Sequence, residues 1–249
     1  MRVNDIEPAR GVIRARRGIT ASKNRSELQK SFQVVGTIPS PAALACALRL
    51  KPGAVDLFEL RVDHFSADTR ALSRAIPKLS APLIVTVRHP REGGAGRLSL
   101  ARRRELYAEF LPAAKFIDIE LRSATQLATT IADARARGVR LILSTHFFKS
   151  MPRLSHLESL RDLAFEFGAD IFKIATLTRT MVEVLTLAIL VADSPRRRLS
   201  AMGMGPLGKL SRPLLACAGS ALNYGFLDTV QVPGQWQAPL LKERLAEYF

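Results

Sequence analysis

Two side chains in this sequence are of a type that their neighbours do not explain. Lys173 lies within Asp170-Ile171-Phe172-Lys173-Ile174-Ala175-Thr176, a run otherwise suited to a buried strand. Desolvation and nearby cations make a neutral amine available to attack a carbonyl, and the imine that results is an electron sink. A lysine paired with a buried carboxylate, or one reaching solvent from a strand end, fits the same run equally well. His146, in Leu143-Ser144-Thr145-His146-Phe147-Phe148, falls near the end of the preceding β-rich run. Imidazole titrates near neutrality and suits proton transfer between substrate atoms. A lone strand histidine is more often structural, and His64, His89 and His156 are read that way, although His89 adjoins Arg88.

Three further segments carry groups that such a pair could use. Arg88-His89-Pro90-Arg91-Glu92-Gly93-Gly94 is a loop able to bring Arg88 and Glu92 towards a common site. In Met204-Gly205-Pro206-Leu207-Gly208-Lys209-Leu210-Ser211-Arg212 an arginine is offered that can clamp a carboxylate with two donors, although the same segment fits a phosphate-binding turn or a plain helix start. Pro233-Gly234-Gln235-Trp236 has the composition of a lid or of an inert connector.

The elements that must position these groups alternate regularly. Eight β-rich runs are predicted, at Gln33–Ile38, Asp56–Asp63, Leu83–Arg88, Phe116–Arg122, Arg140–Phe148, Ile171–Leu177, Leu199–Gly205 and Ala221–Asp228. Segments of helical period separate them. Residues 155–167 place Leu157, Leu160, Ala164 and Phe167 on one face, with a capping box expected at Ser155 and Glu158 and a C-terminal cap at Gly168. Alternation of this kind predicts a parallel α/β sheet, and eight units in about 220 residues favour closure into a single (β/α)8 barrel over an open sheet. Period two puts Glu59, Arg61 and Asp63 on one strand face, and Asp118, Glu120 and Arg122 on another, so charge converges on the barrel mouth. No GxGxxG follows the first strand, which weakens a dinucleotide-binding alternative.

Of the 249 residues, 47% are hydrophobic and 24% charged, values of a soluble globular protein. The longest apolar stretch, Met181 to Ala192, is interrupted by Glu183 and is too short to span a membrane. A basic N-terminus without a following apolar core and cleavage site leaves a cytoplasmic location as the expectation. Cys46 and Cys217 lack any ligand spacing, so packed thiols are expected, with no metal and no disulfide framework. The net charge of +15 is partly concentrated in residues 1–30, where eight basic residues face three acidic ones. That stretch is read as a basic extension, partly disordered or hairpin, ahead of a catalytic domain over 31–249. No DNA-binding motif or aromatic interleaving accompanies it, so nucleic-acid binding is not expected.

Taken in order, Glu59-Leu60-Arg61-Val62-Asp63, Arg88 with Glu92-Gly93-Gly94, Ser144-Thr145-His146, Phe172-Lys173-Ile174-Ala175, Met204-Gly205 to Ser211-Arg212, Gly219-Ser220-Ala221-Leu222 and Pro233-Gly234-Gln235 resemble one family, type I 3-dehydroquinate dehydratase. The resemblance spans residues 34–240. It implies a TIM barrel, commonly a homodimer, that needs no cofactor or metal and acts in the shikimate pathway. It further implies that Lys173 forms a Schiff base with the C3 ketone of 3-dehydroquinate, that His146 moves the protons, and that Glu92 orients His146. Arg212 would bind the substrate carboxylate, while Glu59, Arg61, Arg88 and Gln235 hold hydroxyls and Met204 and Tyr224 match apolar pocket residues. Arginines 61, 88 and 212 clustered about Lys173 would attract an anionic substrate and favour a neutral amine. Two positions depart from the family pattern. Phe147 stands where Asp usually follows the histidine, which puts the surroundings of His146 in question. Gln231 replaces a serine in the 229–237 lid and is counted with the substrate-binding positions. A different imine-forming, aldolase-like barrel and a catalytically impaired basic binding protein are the alternatives.

Overall fold

The computed structural model describes residues 32–249, so the expected extension over 1–30 lies outside the described residues. Eight strands occur: β1 (Gln33–Ile38), β2 (Leu57–Arg61), β3 (Leu83–Thr86), β4 (Ala114–Glu120), β5 (Arg140–Phe147), β6 (Ile171–Leu177), β7 (Leu199–Met204) and β8 (Leu222–Phe226). Helices α1 (Pro41–Arg49), α2 (Arg70–Ala75), α3 (Leu100–Phe110), α4 (Ala128–Ala136), α5 (Leu154–Glu166), α6 (Met181–Ala192), α7 (Gly208–Cys217) and α8 (Ala238–Ala246) follow them in turn. All strand pairings are parallel, in the order β7-β6-β5-β4-β3-β2-β1-β8. The seam between β7 and β8 is joined more sparsely. There the Ala221 amide donates to the Leu199 carbonyl at 2.7 Å, and the Ser200 hydroxyl to the Leu222 carbonyl at 2.7 Å. The chain is thus a (β/α)8 barrel, as the alternation predicted.

Period two along each strand sorts the side chains into layers. Val35, Leu57, Ile84, Phe116, Ile142, Ile171 and Leu222 form an apolar plug inside the barrel. The Arg140 guanidinium lies 4.0 Å from the Phe116 ring centroid. Two residues further along the same strands come Thr37, Glu59, Thr86, Asp118, Ser144, Lys173 and Tyr224, all buried. The alternate residues, among them Leu60, Val85, Ile117, Leu143 and Ile174, pack outward against the helices. Each fully buried aliphatic side chain contributes about 1.5–3 kcal/mol, so the outer layer carries most of the stability and the inner polar layer is supported by it.

Several expected boundaries move. Residues 62–65 form a 3-10 turn rather than the end of β2, and 121–123 form another after β4. Asp63 and Arg122 therefore leave the strand alternation that the sequence suggested. β3 stops at Thr86, β5 at Phe147 and β7 at Met204, and β8 is trimmed at both ends. The expected capping box at Ser155 and Glu158 is absent, because α5 begins two residues earlier, behind Arg153, with no side-chain cap. A capping box does occur on α6, where Thr180 and Glu183 satisfy each other's backbone amides. Gly168 adopts φ +81° just past α5, the left-handed turn that its C-terminal position requires. Among the described residues no helix is long and apolar enough to cross a membrane.

Candidate active site

Because the polar layer sits above an apolar floor, the strand ends enclose a cavity of about 340 Å³. Every expected site residue lines it: Glu59, Arg61, Arg88, Glu92, His146, Lys173, Met204, Arg212, Tyr224, Gln231 and Gln235. His64, Phe148 and Met202 line it as well. His64 therefore sits at the mouth, not in the framework as expected.

Lys173 is 3% exposed and donates to Asp118 Oδ2 at 2.8 Å and to Glu59 Oε1 at 3.2 Å. Its nearest charges are thus carboxylates, not the arginines that the sequence suggested. Arg88 is committed to the same anions: its guanidinium makes two bonds to Asp118, at 3.0 and 2.9 Å, and one each to Glu120 and Ser144. Arg103, buried on α3, secures Glu120 from the outside at 2.6 Å. Burial acts to raise the Asp118 carboxyl, but Arg88 and Lys173 outweigh it and hold it well below the usual carboxylate range. The pairing with a buried carboxylate that a structural lysine would show is therefore present, inside a cavity.

His146 follows Ser144 by two residues on β5, and its neighbour across the ladder on β6 is Ala175, two residues beyond Lys173. Its Nδ1 lies 2.9 Å from Glu92 Oε2. Delivery of Glu92 depends on the loop after β3. Residues 90–92 form a 3-10 turn capped by the His89 ring, and Gly93 closes it at φ +81°. At Gly94 a Cβ would lie 2.1 Å from the Arg88 carbonyl oxygen, so only glycine lets the chain pass. Burial pushes the Glu92 carboxyl up to about 8, partly opposed by Arg88. Burial, with Arg88 and Lys173, drives His146 well below its ordinary value. The two shifts both favour the uncharged forms, so one proton is readily held between the carboxyl and the imidazole. When Nδ1 donates to Glu92, Nε2 is free to accept a proton.

Phe147 points away from this site. It belongs to the outward layer and meets His156 edge-on at 6.3 Å, so the departure from the family pattern changes the barrel's outer packing while Glu92 holds the imidazole. Phe148 returns inward and lies parallel to His146 at 6.2 Å.

Arg212, on the second turn of α7, is different from the other cations. It is 1% exposed and has no carboxylate partner. Its guanidinium donates only to the backbone carbonyls of Tyr224 at 3.2 Å and Gly203 at 3.4 Å, and its Nε has no partner. Burial alone pulls it down to about 10. A cation left this way lowers the free energy of any anion entering the cavity. Arg61, half-buried, is held by Asp63 at 2.9 Å and reaches the Gly93 carbonyl at 2.9 Å. Gln235 turns its Oε1 to the amides of Gln231 at 2.9 Å and Val232 at 3.4 Å, so the loop folds upon itself above the cavity. The Gly205 amide donates to the Pro233 carbonyl at 2.8 Å, and the Trp236 indole to the Lys209 carbonyl at 2.8 Å, which tie that loop to the start of α7.

Sequence reasoning placed Asp118 on a charged face but gave it no role. The missing step was the register across β4, β5 and β6, which sets Asp118 one strand away from Ser144 and two from Lys173. Among the described residues no group of three or more His, Cys, Asp or Glu is placed to hold a metal ion.

Residues 38–248 match the family model described as type I 3-dehydroquinase. A 3-dehydroquinate dehydratase of Methanocella arvoryzae is 34% identical over 193 residues, covering 76% of this chain and 86% of the relative. A catabolic 3-dehydroquinate dehydratase of Acinetobacter baylyi is 30% identical over 203 residues, covering 76% and 75%. Among solved structures, a type I 3-dehydroquinate dehydratase from Clostridium difficile with covalently modified comenic acid superposes with a TM-score of 0.78 at 26% identity, covering 87% of this chain and 92% of that one.

Proposed function

Since the chain belongs to the type I 3-dehydroquinase family and is a hydro-lyase that dehydrates 3-dehydroquinate, we propose that Lys173 is the amine that condenses with the substrate. Its Nζ adds to the C3 carbonyl, and the carbinolamine loses water to give an iminium. The positive nitrogen acidifies the C2 hydrogens. His146 Nε2 removes one of them, leaving an enamine, and the enamine electrons expel the C1 hydroxyl as His146 returns the proton to it. Water then hydrolyses the conjugated iminium, releasing 3-dehydroshikimate and restoring Lys173. Glu92 holds His146 Nδ1 throughout and shares its proton.

The anionic end of the substrate goes to Arg212, the buried cation without a protein anion. Glu59, Arg61, Arg88 and Gln235 hold substrate hydroxyls, Met204 and Tyr224 form the apolar wall, and Gln231 stands at the rim. The observation that carries this reading is the joint presence, in one cavity, of the buried Lys173 amine and the His146–Glu92 couple. The covalently modified ligand of the Clostridium difficile relative supports a nucleophile at such a site.

The test is to incubate the protein with 3-dehydroquinate, reduce with borohydride and map the adduct. Mass increase confined to the peptide bearing Lys173 is expected. Turnover without modification there would overturn the assignment.

A homodimer is the proposed assembly and the cytoplasm the proposed location. Val182, Leu185 and Ile189 on α6 are 72%, 49% and 47% exposed, an uncharged face that supports self-association. Sedimentation of Leu185→Glu at half the native mass would support this face, and a monomeric parent would refute the dimer. Two free thiols, Cys46 and Cys217, suit a reducing compartment, and subcellular fractionation reads that directly.

A further inference from the structure

Among the residues that line the cavity, Tyr224 ends in a hydroxyl that is buried without a hydrogen-bond partner. Tyr224 is inward-facing on β8, paired with Val35 of β1, and 3% exposed. Its ring centroid lies 4.0 Å from the Lys173 Nζ. Any phenyl ring provides that contact and the apolar wall. The phenolic oxygen goes further: it is buried without a hydrogen-bond partner in a residue that lines the cavity. A buried hydroxyl without a partner loses its hydration and receives nothing in exchange, so the fold carries a cost that a ligand oxygen removes. Burial, together with the Glu59 and Asp118 carboxylates, pushes its titration well up, so the group stays a donor. The ring packed on the Lys173 amine brings the same side chain next to the atom that receives the ketone carbon.

We propose that the Tyr224 hydroxyl donates a hydrogen bond to the C4 hydroxyl of the bound substrate and so selects for ketones that bear an oxygen next to the carbonyl. The choice of C4 follows from the substrate. Of the two ring carbons bonded to the ketone carbon, C2 carries only hydrogens and C4 carries a hydroxyl. The C1 hydroxyl is served by His146 and the carboxylate by Arg212, and the C5 hydroxyl lies one carbon further from the imine nitrogen; the C4 hydroxyl can still accept from the phenol while it donates its own proton to one of the groups that hold the substrate hydroxyls. This inference rests on Lys173 as the imine-forming residue.

The test compares Tyr224→Phe, which deletes one oxygen and keeps the ring, with the parent on 3-dehydroquinate and on its 4-deoxy analogue. Steady-state kinetics and the rate of borohydride-trapped adduct formation are both read. On 3-dehydroquinate the variant is expected to lose about 3- to 10-fold in kcat/KM and in trapping rate, chiefly through KM, the usual worth of one neutral hydrogen bond. On the 4-deoxy analogue the two proteins should trap at equal rates. The Tm of the unliganded variant should equal or exceed that of the parent, because an unpaired polar atom has been removed. Equal losses on both compounds, or no loss on 3-dehydroquinate, would overturn the proposal. A lower Tm with unchanged kinetics would also overturn it, by showing that the hydroxyl is satisfied within the folded protein. Adduct at Lys173 in both proteins keeps the underlying assignment intact, whereas no adduct in either removes that assignment and this inference with it.

Discussion

The two sides of the barrel mouth treat buried charge in opposite ways. On the β2 to β6 side, Glu59, Arg88, Asp118, Glu120 and Lys173 are all nearly inaccessible and bonded to one another, with Arg103 bracing them from α3. On the β7 to β8 side, Arg212 is as deeply buried yet has only backbone carbonyls, and Tyr224 ends in an unpaired hydroxyl. The first arrangement fixes the position of the reactive amine before substrate arrives, which is where preorganisation helps most. The second leaves donors unsatisfied, a cost in stability that is recovered when an anion fills the space. Charged residues at this barrel mouth thus differ in how far protein partners hold them before substrate arrives, and hydrogen-bond partners show that difference where sequence position does not.

The sharpest way to break this contrast is to remove an anion from the paired side. Asp118→Ala leaves Arg88 and Lys173 buried without the carboxylate they share most closely, and a loss of about 3–5 kcal/mol in unfolding free energy is expected, read by urea denaturation. Unchanged stability would show that the network does not hold the fold together. Arg212→Met performs the opposite operation on the unpaired side. Here kcat/KM should fall by about 30- to 4,000-fold, equivalent to about 2–5 kcal/mol, while the unliganded protein is as stable as the parent or more so. A stability loss comparable to that of Asp118→Ala would erase the distinction between the two sides.

Why the sequence disclosed one side better than the other follows from the same chemistry. Strand and helix alternation and the oddity of Lys173 are both local patterns, and both are legible in the sequence. Partners set by register are not. Asp118 meets Lys173 only because β4 and β6 flank β5, and that geometry inverted the expected surroundings of the amine from arginines to carboxylates. Asp63 looked like a strand residue. Its 3-10 turn instead turns the carboxylate to the amides of Arg88 at 3.2 Å and Ala95 at 2.9 Å. Phe147 packs against the outer layer for a simpler reason: adjacent residues of a strand face opposite sides, so the residue after His146 is turned to the helices.

Glu92 and His146 stand between the two sides, paired with each other but both unfavourably charged, and their titration gives a finer probe. Glu92 in the fold holds its proton to about pH 8, against an ordinary value of 4.5. Between those limits the folded protein binds one more proton than the unfolded chain at this site, so stability is lost as pH rises towards 8. His146 works in the other direction. Its folded value lies well below 6.5, so below that pH the unfolded chain takes up a proton that the fold refuses, and stability is lost on acidification. From pH 8 down to 6.5 the parent should gain at most about 1.4 kcal/mol per unit from this pair, and from 6.5 to 4.5 the two slopes cancel. Glu92→Gln keeps a partner for Nδ1 and removes the carboxyl. Its stability should be flat above pH 6.5 and fall below it, with turnover much reduced. A parent whose stability does not change between pH 8 and 6.5 would mean that the carboxyl is ionised in the fold.

The smallest effect is expected at the loop that covers the unpaired side. Gln231 is exposed, and its amide turns back to the Thr229 carbonyl at 3.0 Å and hydroxyl at 3.3 Å. Its contribution to loop shape is made by its backbone amide, which donates to Gln235 at 2.9 Å and is retained by any residue other than proline. Gln231→Ser should therefore change kcat/KM by no more than about 2- to 3-fold, the range of a surface substitution without a buried partner. Gln235→Ala should exceed that, because it removes the acceptor for two loop amides and a cavity-lining group together. If Gln231→Ser instead improved KM by 10-fold or more, a short hydroxyl at the rim would be reaching the substrate. The unsatisfied side would then extend from Arg212 and Tyr224 into the loop itself.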